Sequence, residues 1–127
     1  MPTQTFAFYI SGHGFGHAAR QQAIIRELSN AGAHVHVKTP TPQKFFDFPN
    51  VTYHNARYDI GLIQPDSLTV DVEATFAWYR DFLQHQPALI EHEVTFIREH
   101  NVDVIVSDMP PIAFEIADAA DVPSVAC

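Results

Sequence analysis

The sequence predicts an α/β protein built on a doubly wound parallel sheet, and three observations lead to this class. Short runs rich in β-branched and aromatic residues alternate along the chain with longer segments of helical periodicity. The first of these runs, residues 5–10, is continuously apolar, which is typical of a strand covered on both faces. A glycine-rich stretch joins that run directly to the first helical segment.

The first half of the chain is predicted to contain three strands and one long helix. Gly32 is suited to end the helix, because glycine tolerates the left-handed conformation common after a helix. The polar histidines of the second strand indicate a less buried position than that of the first. In order, the elements are a strand at 5–10, a helix at 17–31, a strand at 34–38, a helical turn at 43–46 and an edge strand at 51–54.

The second half is predicted to begin with a loop over residues 59–70 and to continue with helices and two further strands. Pro87 is expected to end one helix and to open the next, since proline is tolerated at the first helical position. The order is a helix from Asp71, a helix from Pro87, a strand at 102–106, a helix after Pro110 and Pro111, and a strand at 122–126.

An aromatic cluster lies on the helix that begins at Asp71. It is expected to form core, with the alternative that part of it lines a pocket for an acceptor molecule. Its members are Phe76, Trp78, Tyr79 and Phe82.

Length and composition restrict the class of protein. The 127 residues form at most one domain, spanning 1–127, and seven basic against fifteen acidic residues give a net charge of −8. Such a balance argues against a general nucleic-acid or anionic-membrane binder. A single cysteine, Cys127, and the lack of a signal-peptide pattern or a bilayer-spanning apolar stretch predict a soluble cytoplasmic protein. Because the chain ends on a new strand, we expect an incomplete domain or a short relative of a larger protein.

The glycine-rich stretch at residues 11–17, Ser-Gly-His-Gly-Phe-Gly-His, is the predicted binding site. Glycines let backbone N–H groups approach a ligand, and the following helix N-terminus attracts phosphate or carboxylate groups. With the common strand order 3-2-1-4-5, this loop lies beside Asp108 at the end of the fourth strand. His17 and Asp108 would then form a carboxylate–imidazole pair, which suits a general base acting on a sugar or alcohol hydroxyl. His13 lies in mid-loop and is better placed to contact phosphate.

Plainer roles for the same residues remain open. The alternative interpretation of His17 is a helix cap or a local hydrogen-bond partner. Asp108 is also a favourable N-cap for the helix that follows Pro110 and Pro111.

Metal chemistry is not favoured by the histidine spacings. His34 and His36 share one strand face, but two histidines without a third ligand are a weak metal signal, and a solvated face is the preferred interpretation. His92-Glu93 does not continue into the zinc-protease pattern, because Phe96 stands where the second histidine belongs.

A nicotinamide-cofactor site is disfavoured as well. Gly12 and Gly14 match the start of the dinucleotide fingerprint, but the third glycine would fall on His17. The acidic residue expected at the end of the second strand is replaced by Lys38-Thr39.

The segment 14–20, Gly-Phe-Gly-His-Ala-Ala-Arg, resembles the first loop and helix of GT-B glycosyltransferases, and segments 103–108 and 122–125 resemble a later strand–helix–strand of that family. The resemblance implies an N-terminal Rossmann-like domain that binds the acceptor. It also implies that the loop histidine, here His17, deprotonates the acceptor and that an aspartate, here Asp108, pairs with it.

A more specific resemblance is to the glycosyltransferase-like N-terminal region of plant arabinokinases and their bacterial relatives. Three motifs carry it in this order: Gly-His-Gly-Phe-Gly-His-Ala at 12–18, Asp-Ser-Leu-Thr-Val-Asp at 66–71 and Val-Ser-Asp at 106–108. One departure is that the family's usual proline after the loop histidine is absent, and Arg20 stands there. Arg20 is interpreted either as a phosphate contact or as a solvated helix residue.

The resemblance implies a nucleotide-sugar donor, a UDP-sugar, used as substrate without a cofactor or metal, and a small-molecule acceptor. In the family a second domain holds most of the donor. The isolated chain is therefore expected to lack transferase activity, and either to dock a C-terminal donor domain or to self-associate through an exposed apolar face and sheet edge. The alternative is a non-catalytic sugar-nucleotide or phosphate-binding regulatory module, and a third option is an isolated phosphate-binding domain. The residues predicted to hold the donor diphosphate or an acceptor phosphate are Gly12, His13, Gly14, Phe15, Gly16 and Arg20.

Overall fold

Five parallel strands form one sheet in the order β3-β2-β1-β4-β5, as predicted from the sequence. The computed structural model describes residues 3–12, 16–58 and 72–127, with His17 described by its backbone alone. The elements are β1 Thr5–Ile10, α1 Gly16–Asn30, β2 His34–Thr39, a 3₁₀ turn Gln43–Phe46, β3 Val51–Asn55, α2 Val72–Glu99, β4 Val104–Asp108, α3 Ile112–Ala120 and β5 Ser124–Ala126. The predicted loop at 59–70 lies outside the described residues.

Strand register determines which residues meet at the carboxyl edge of the sheet. Tyr9 of β1 pairs with Lys38 of β2 and with Ser107 of β4, so these three side chains share one face. Ile10, the last residue of β1, pairs with Asp108, the last residue of β4. The loop that leaves β1 therefore starts beside Asp108.

The face of the sheet that α1 covers is almost entirely apolar. Phe8, Val35 and Val37 pack with Ile25 of α1 and with Phe46 of the 3₁₀ turn. The helix forms because Ile25 and its neighbours recur at helical spacing, and it ends where Gly32 takes a φ of +89°.

The opposite face is covered by α2 and α3. Ile97 of α2 and Ile112 and Ile116 of α3 pack against Ala7 and Ile105 of the sheet. α2 ends at Glu99, shortly before Asn101, whose φ of +51° is a left-handed conformation that does not continue a helix.

The predicted helix break at Pro87 is wrong, because α2 runs through this residue without interruption. Proline removes one backbone hydrogen bond, so something else must hold the helix together. Gln86 bonds Glu115 on one side of the proline, and further along Arg98 bonds the Ala119 carbonyl at 3.4 Å. Both halves of α2 are thus fastened to the same helix, α3.

The prediction that the histidines of β2 place it in a less buried position is also wrong. Its central position between β1 and β3, under the C-terminal half of α2, buries His36 and Lys38 almost completely. Both polar side chains have partners there, which are described below.

The aromatic residues expected as core on α2 lie largely outside it. Phe76 is 65% exposed, Trp78 and Tyr79 are also exposed, and Phe82 is half-buried. The reason is that only the C-terminal half of α2, with Glu93, Val94 and Ile97, is buried. Self-association through this face stays a prediction.

None of the helices in the described ranges has the length and hydropathy of a membrane span.

Candidate active site at the carboxyl edge of β1 and β4

The glycine loop begins at the carboxyl edge of the sheet, between the ends of β2 and β4. The backbone N–H of Ser11 donates to the carbonyl of Asp108 at 3.1 Å. A Cβ added to Gly12 would lie 2.3 Å from Cγ of Pro40, so any larger residue there forces the loop or the proline to move. A Cβ at Gly16, the first residue of α1, would have no heavy atom of the described residues within 4 Å. Gly12 is therefore required by close packing, whereas Gly16 is not.

Asp108 is a buried carboxylate held by two side chains of α1. It is 1% exposed, and its Oδ1 and Oδ2 accept from Nη2 of Arg20 at 3.1 and 3.2 Å. Oδ2 also accepts from Nε2 of Gln21 at 3.0 Å. These bonds satisfy a carboxylate that would otherwise be costly to bury.

The cap interpretation of Asp108 is wrong. The N-cap residue of α3 is Pro111, and no side chain makes a cap hydrogen bond there. Met109, directly after Asp108, has a φ of +89°. A non-glycine residue in this region carries strain of about 1–3 kcal/mol, and such residues concentrate at functional sites.

α1 begins at the same edge, where its residues Arg20 and Gln21 hold the buried Asp108 carboxylate. Its first turn contains no acidic residue. The partial positive charge of a helix N-terminus and the Arg20 guanidinium therefore both favour an anion here.

The predicted site residues come together to the extent that the structure describes them. Gly12, Gly16, Arg20 and Asp108 lie at the same edge of the sheet. The His17 backbone lies in the first turn of α1, but its side chain is outside the description, so the His17–Asp108 pair stays a prediction. His13, Gly14 and Phe15 also lie outside the described residues.

Gln21 is a site residue that sequence reasoning missed. Although this residue of α1 is polar, it is fully buried against Asp108. Its amide orientation is fixed because only the Nε2 end can donate to the carboxylate. The Oε1 atom is then a buried acceptor without a hydrogen-bond partner among the described residues. No local pattern identifies such a residue, because its partner lies 87 positions away.

A second polar cluster, which the sequence did not predict, lies on the face of the sheet that α2 covers. Nζ of Lys38 donates to Oε1 of Glu93 at 2.7 Å, and the Tyr9 hydroxyl donates to the same oxygen at 2.8 Å. Nδ1 of His92 lies 3.0 Å from Oε2 of Glu93. The Lys38 ammonium also sits 3.4 Å from the centroid of the Phe96 ring, a cation–π contact.

Burial shifts the ionisation of this cluster. Burial alone would raise the pKa of Glu93, but the Lys38, Tyr9 and His92 bonds hold that pKa below its usual value. Burial lowers the pKa of Lys38, and the bond to Glu93 opposes that change. Burial and the Glu93 carboxylate raise the pKa of Tyr9, which keeps its hydroxyl a donor. The cluster is a buried ion pair that contributes to the fold.

Four imidazoles surround the same part of β2. Nδ1 of His36 lies 3.1 Å from Nε2 of His54, and the ring centroids of His34 and His100 lie 4.8 and 5.0 Å from that of His36. Burial first, and then the neighbouring imidazoles and Lys38, lower the pKa of His36 to about 4. Within the described ranges, no group of three or more metal-ligating side chains is arranged to hold a metal ion.

In the part of the chain that the structure describes, clefts lie at two places away from the glycine loop. One of about 400 Å³ between α2 and α3 is lined by Tyr58, Tyr79 and Ile112 among others. One of about 630 Å³ lies at the amino edge of the sheet, beside Gln4 and Asp103. Parallel sheets bind ligands at the carboxyl edge, so the larger cleft is the less favoured site in spite of its size.

Comparisons with solved structures establish the class of fold. The calicheamicin glycosyltransferase is similar with a TM-score of 0.67 at 16% identity, over 99% of this chain and 32% of that chain. A "ugt transferase" from Siraitia grosvenorii, solved in complex with UDP, gives 0.60 at 16% identity over 98% of this chain and 27% of that one. The fold is that of a Rossmann-like domain of GT-B glycosyltransferases.

Sequence comparison adds a closer relative. No family model matches the chain. The chain is 36% identical over 125 residues to the L-arabinokinase of Arabidopsis thaliana, which covers 94% of this chain but only 12% of that protein. The chain thus has the fold of a GT-B N-terminal-like domain and is similar in sequence to one segment of an arabinokinase.

Proposed function

We propose that this domain is the acceptor-binding half of a nucleotide-sugar-dependent glycosyltransferase site at the carboxyl edge of β1 and β4. The observation that carries the proposal is the placement of Asp108. Its carboxylate is buried at the end of β4, in register with Ile10, where the glycine loop begins. The anion-attracting N-terminus of α1 faces the same edge.

The chemistry in this proposal is acceptor deprotonation by His17. Asp108 orients the His17 imidazole and balances the positive charge that the imidazole gains. Both effects make His17 a more effective base. Backbone N–H groups of the loop, with Arg20, stabilise a donor diphosphate or an acceptor phosphate. The donor is a UDP-sugar, and a second domain or a second copy completes its binding site.

A non-catalytic role is the second candidate, and one observation favours it. Asp108 is already neutralised by the Arg20 guanidinium, which reduces what the carboxylate adds to the basicity of His17. The similar protein of Arabidopsis thaliana is also named an L-arabinokinase and not a glycosyltransferase. In this alternative the site binds a sugar nucleotide or phosphate and regulates the protein without transferring sugar.

Calorimetric titration of the chain with UDP, UDP-glucose and inorganic phosphate tests the binding common to both candidates. We expect UDP-glucose to bind, and Arg20→Met to weaken that binding about tenfold through the loss of one charge-assisted contact. Arg26→Met, which removes an exposed arginine of the same helix, is the matched control and should leave the affinity unchanged. Absence of binding to every ligand would contradict both candidates.

Release of UDP from UDP-glucose by the full-length gene product then separates the two candidates. A general base contributes about 10²–10⁴ in rate, so the transferase proposal requires His17→Ala to lower turnover by at least about a hundredfold. Tight binding without any turnover in the wild-type protein would support the regulatory module instead.

A further inference from the structure

We infer that Tyr53 of β3 is a positioning residue for the candidate site: its hydroxyl holds the turn at residues 39–41, so that Pro40 fixes the backbone of Gly12, where the glycine loop begins. For ligand binding this inference rests on the proposed function, since the position of the loop matters only if the loop binds a ligand. The edge strand β3, which contains none of the predicted site residues, thereby supports the site.

The end of β2 runs beside the start of the glycine loop. Tyr9 pairs with Lys38 near the ends of two parallel strands, so the residues that follow them leave the sheet side by side. A Cβ on Gly12 would lie 2.3, 3.3 and 3.4 Å from Cγ, Cδ and Cβ of Pro40. The proline ring therefore packs directly on the Gly12 backbone, and any shift of Pro40 changes the space in which Gly12 lies.

The turn that carries Pro40 is stiff in itself. Proline rings restrict φ at Pro40 and at Pro42, where φ is −56°. The backbone N–H of Thr41 donates to Oγ1 of Thr39 at 3.2 Å, which closes the turn with a local side-chain bond, and both threonines are buried. Such a turn moves as a unit, so its position depends on the contacts that anchor it to the sheet.

Tyr53 supplies such an anchor from the neighbouring strand. Its hydroxyl donates to the Thr41 carbonyl at 2.6 Å, and the Thr39 carbonyl lies 3.4 Å from the same oxygen. The backbone N–H of Ala56, just beyond β3, also donates to the Thr39 carbonyl at 3.3 Å. The Tyr53 ring packs against the core under α1, and burial raises the pKa of Tyr53, which keeps the hydroxyl a donor. The hydroxyl is therefore held in place over the turn.

Amide chemical shifts of the ligand-free ¹⁵N-labelled chain test the mechanical link. Tyr53→Phe removes only the hydroxyl and should shift the Gly12 signal as well as those of residues 39–41. The matched control is Thr95→Val, which removes an exposed hydroxyl that donates to a backbone carbonyl of α2, and it should leave the Gly12 signal in place. In a Pro40→Ala background, Tyr53→Phe should no longer shift the Gly12 signal, because the ring that transmits the change is absent.

Calorimetric titration with UDP-glucose tests whether this link matters for binding. Tyr53→Phe should weaken the affinity about three- to tenfold, the effect of one neutral hydrogen bond. Pro40→Ala should weaken it to a similar extent. The double variant should bind within about twofold of Pro40→Ala alone, since both changes act through the same contact. A merely structural role of Tyr53 would lower the stability without this non-additivity in binding.

Two results would overturn the inference and leave the binding site standing. One is an unmoved Gly12 signal in Tyr53→Phe, and the other is a simple addition of the Tyr53→Phe and Pro40→Ala losses in affinity. If the wild-type chain binds no UDP-glucose, the proposed function fails, and the ligand-free shifts still decide whether Tyr53 positions Gly12. Circular dichroism verifies that each variant is folded.

Discussion

Replacing Lys38 with methionine is expected to destabilise the domain by about 3–5 kcal/mol, measured as the free energy of unfolding in urea. The reason is the carboxylate left behind rather than the bond that is lost. Glu93 is 1% exposed and lies 2.7 Å from the Lys38 ammonium. Without that cation, the folded state must bury an uncompensated charge that retains its Tyr9 and His92 partners.

A double-mutant cycle separates the ion pair from simple packing. Lys38→Met combined with Glu93→Gln removes both charges and keeps an oxygen that can accept from Tyr9, so most of the lost stability should return. Lys44→Met, at an exposed lysine of the 3₁₀ turn, should stay within about 0.5 kcal/mol of wild type. A loss below about 1 kcal/mol for Lys38→Met would show that the pair is not buried in solution.

Acidification from pH 6.5 to 4 is expected to remove about 2 kcal/mol of stability through His36. Its pKa falls from the ordinary 6.5 to about 4 in the folded chain. The unfolded chain therefore takes up the proton first, so the stabilisation is complete above pH 6.5 and is lost as the pH falls toward 4. A pKa shift of this size corresponds to about 3 kcal/mol of stability. Because solvent around the exposed His100 screens part of the repulsion, the expected loss is about 2 kcal/mol.

The groups around His36 explain why its charge is disfavoured. His34 and Lys38 neighbour it on β2 and His54 on β3, while Phe96 of α2 and His100, directly after α2, also lie against it. The contact between His36 Nδ1 and His54 Nε2 needs a lone pair on one ring, so it is lost when both imidazoles are charged. The stabilisation that the ionised Glu93 gives is lost separately and at lower pH. Its pKa in the folded chain lies below the usual 4.5, so this stabilisation declines only below pH 4.5.

Urea unfolding at a series of pH values measures this effect. His36→Leu removes the titrating group, and the slope of stability between pH 6.5 and 4 should fall to less than half that of wild type. His85→Gln, at an exposed histidine of α2, should keep the wild-type slope. An unchanged slope in His36→Leu would assign the acid sensitivity to other groups.

The sheet order was predictable because local signals and general rules agree on it. The continuous apolar run of β1, the glycine stretch after it and the alternation of strands with helices each indicate the same topology. Asp108 was located at a strand end next to the loop because its strand was recognised and the order 3-2-1-4-5 followed.

The errors share one physical cause, which is tertiary contact between distant positions. Pro87 does not break α2, because α3 holds the helix on both sides of it. Lys38 is buried in β2 because Glu93, 55 positions away, neutralises it. Likewise, no pattern around Gln21 or Arg20 predicts a partner about 88 positions further on.

The central claim is that the ligand binds at the carboxyl edge of β1 and β4, and amide chemical-shift mapping of the ¹⁵N-labelled chain during titration with UDP-glucose tests it most directly. We predict that the shift changes concentrate at residues 10–21 and 107–109. Changes confined to the amino edge around Gln4 and Asp103, where the larger cleft lies, or to the cleft between α2 and α3, would contradict the claim.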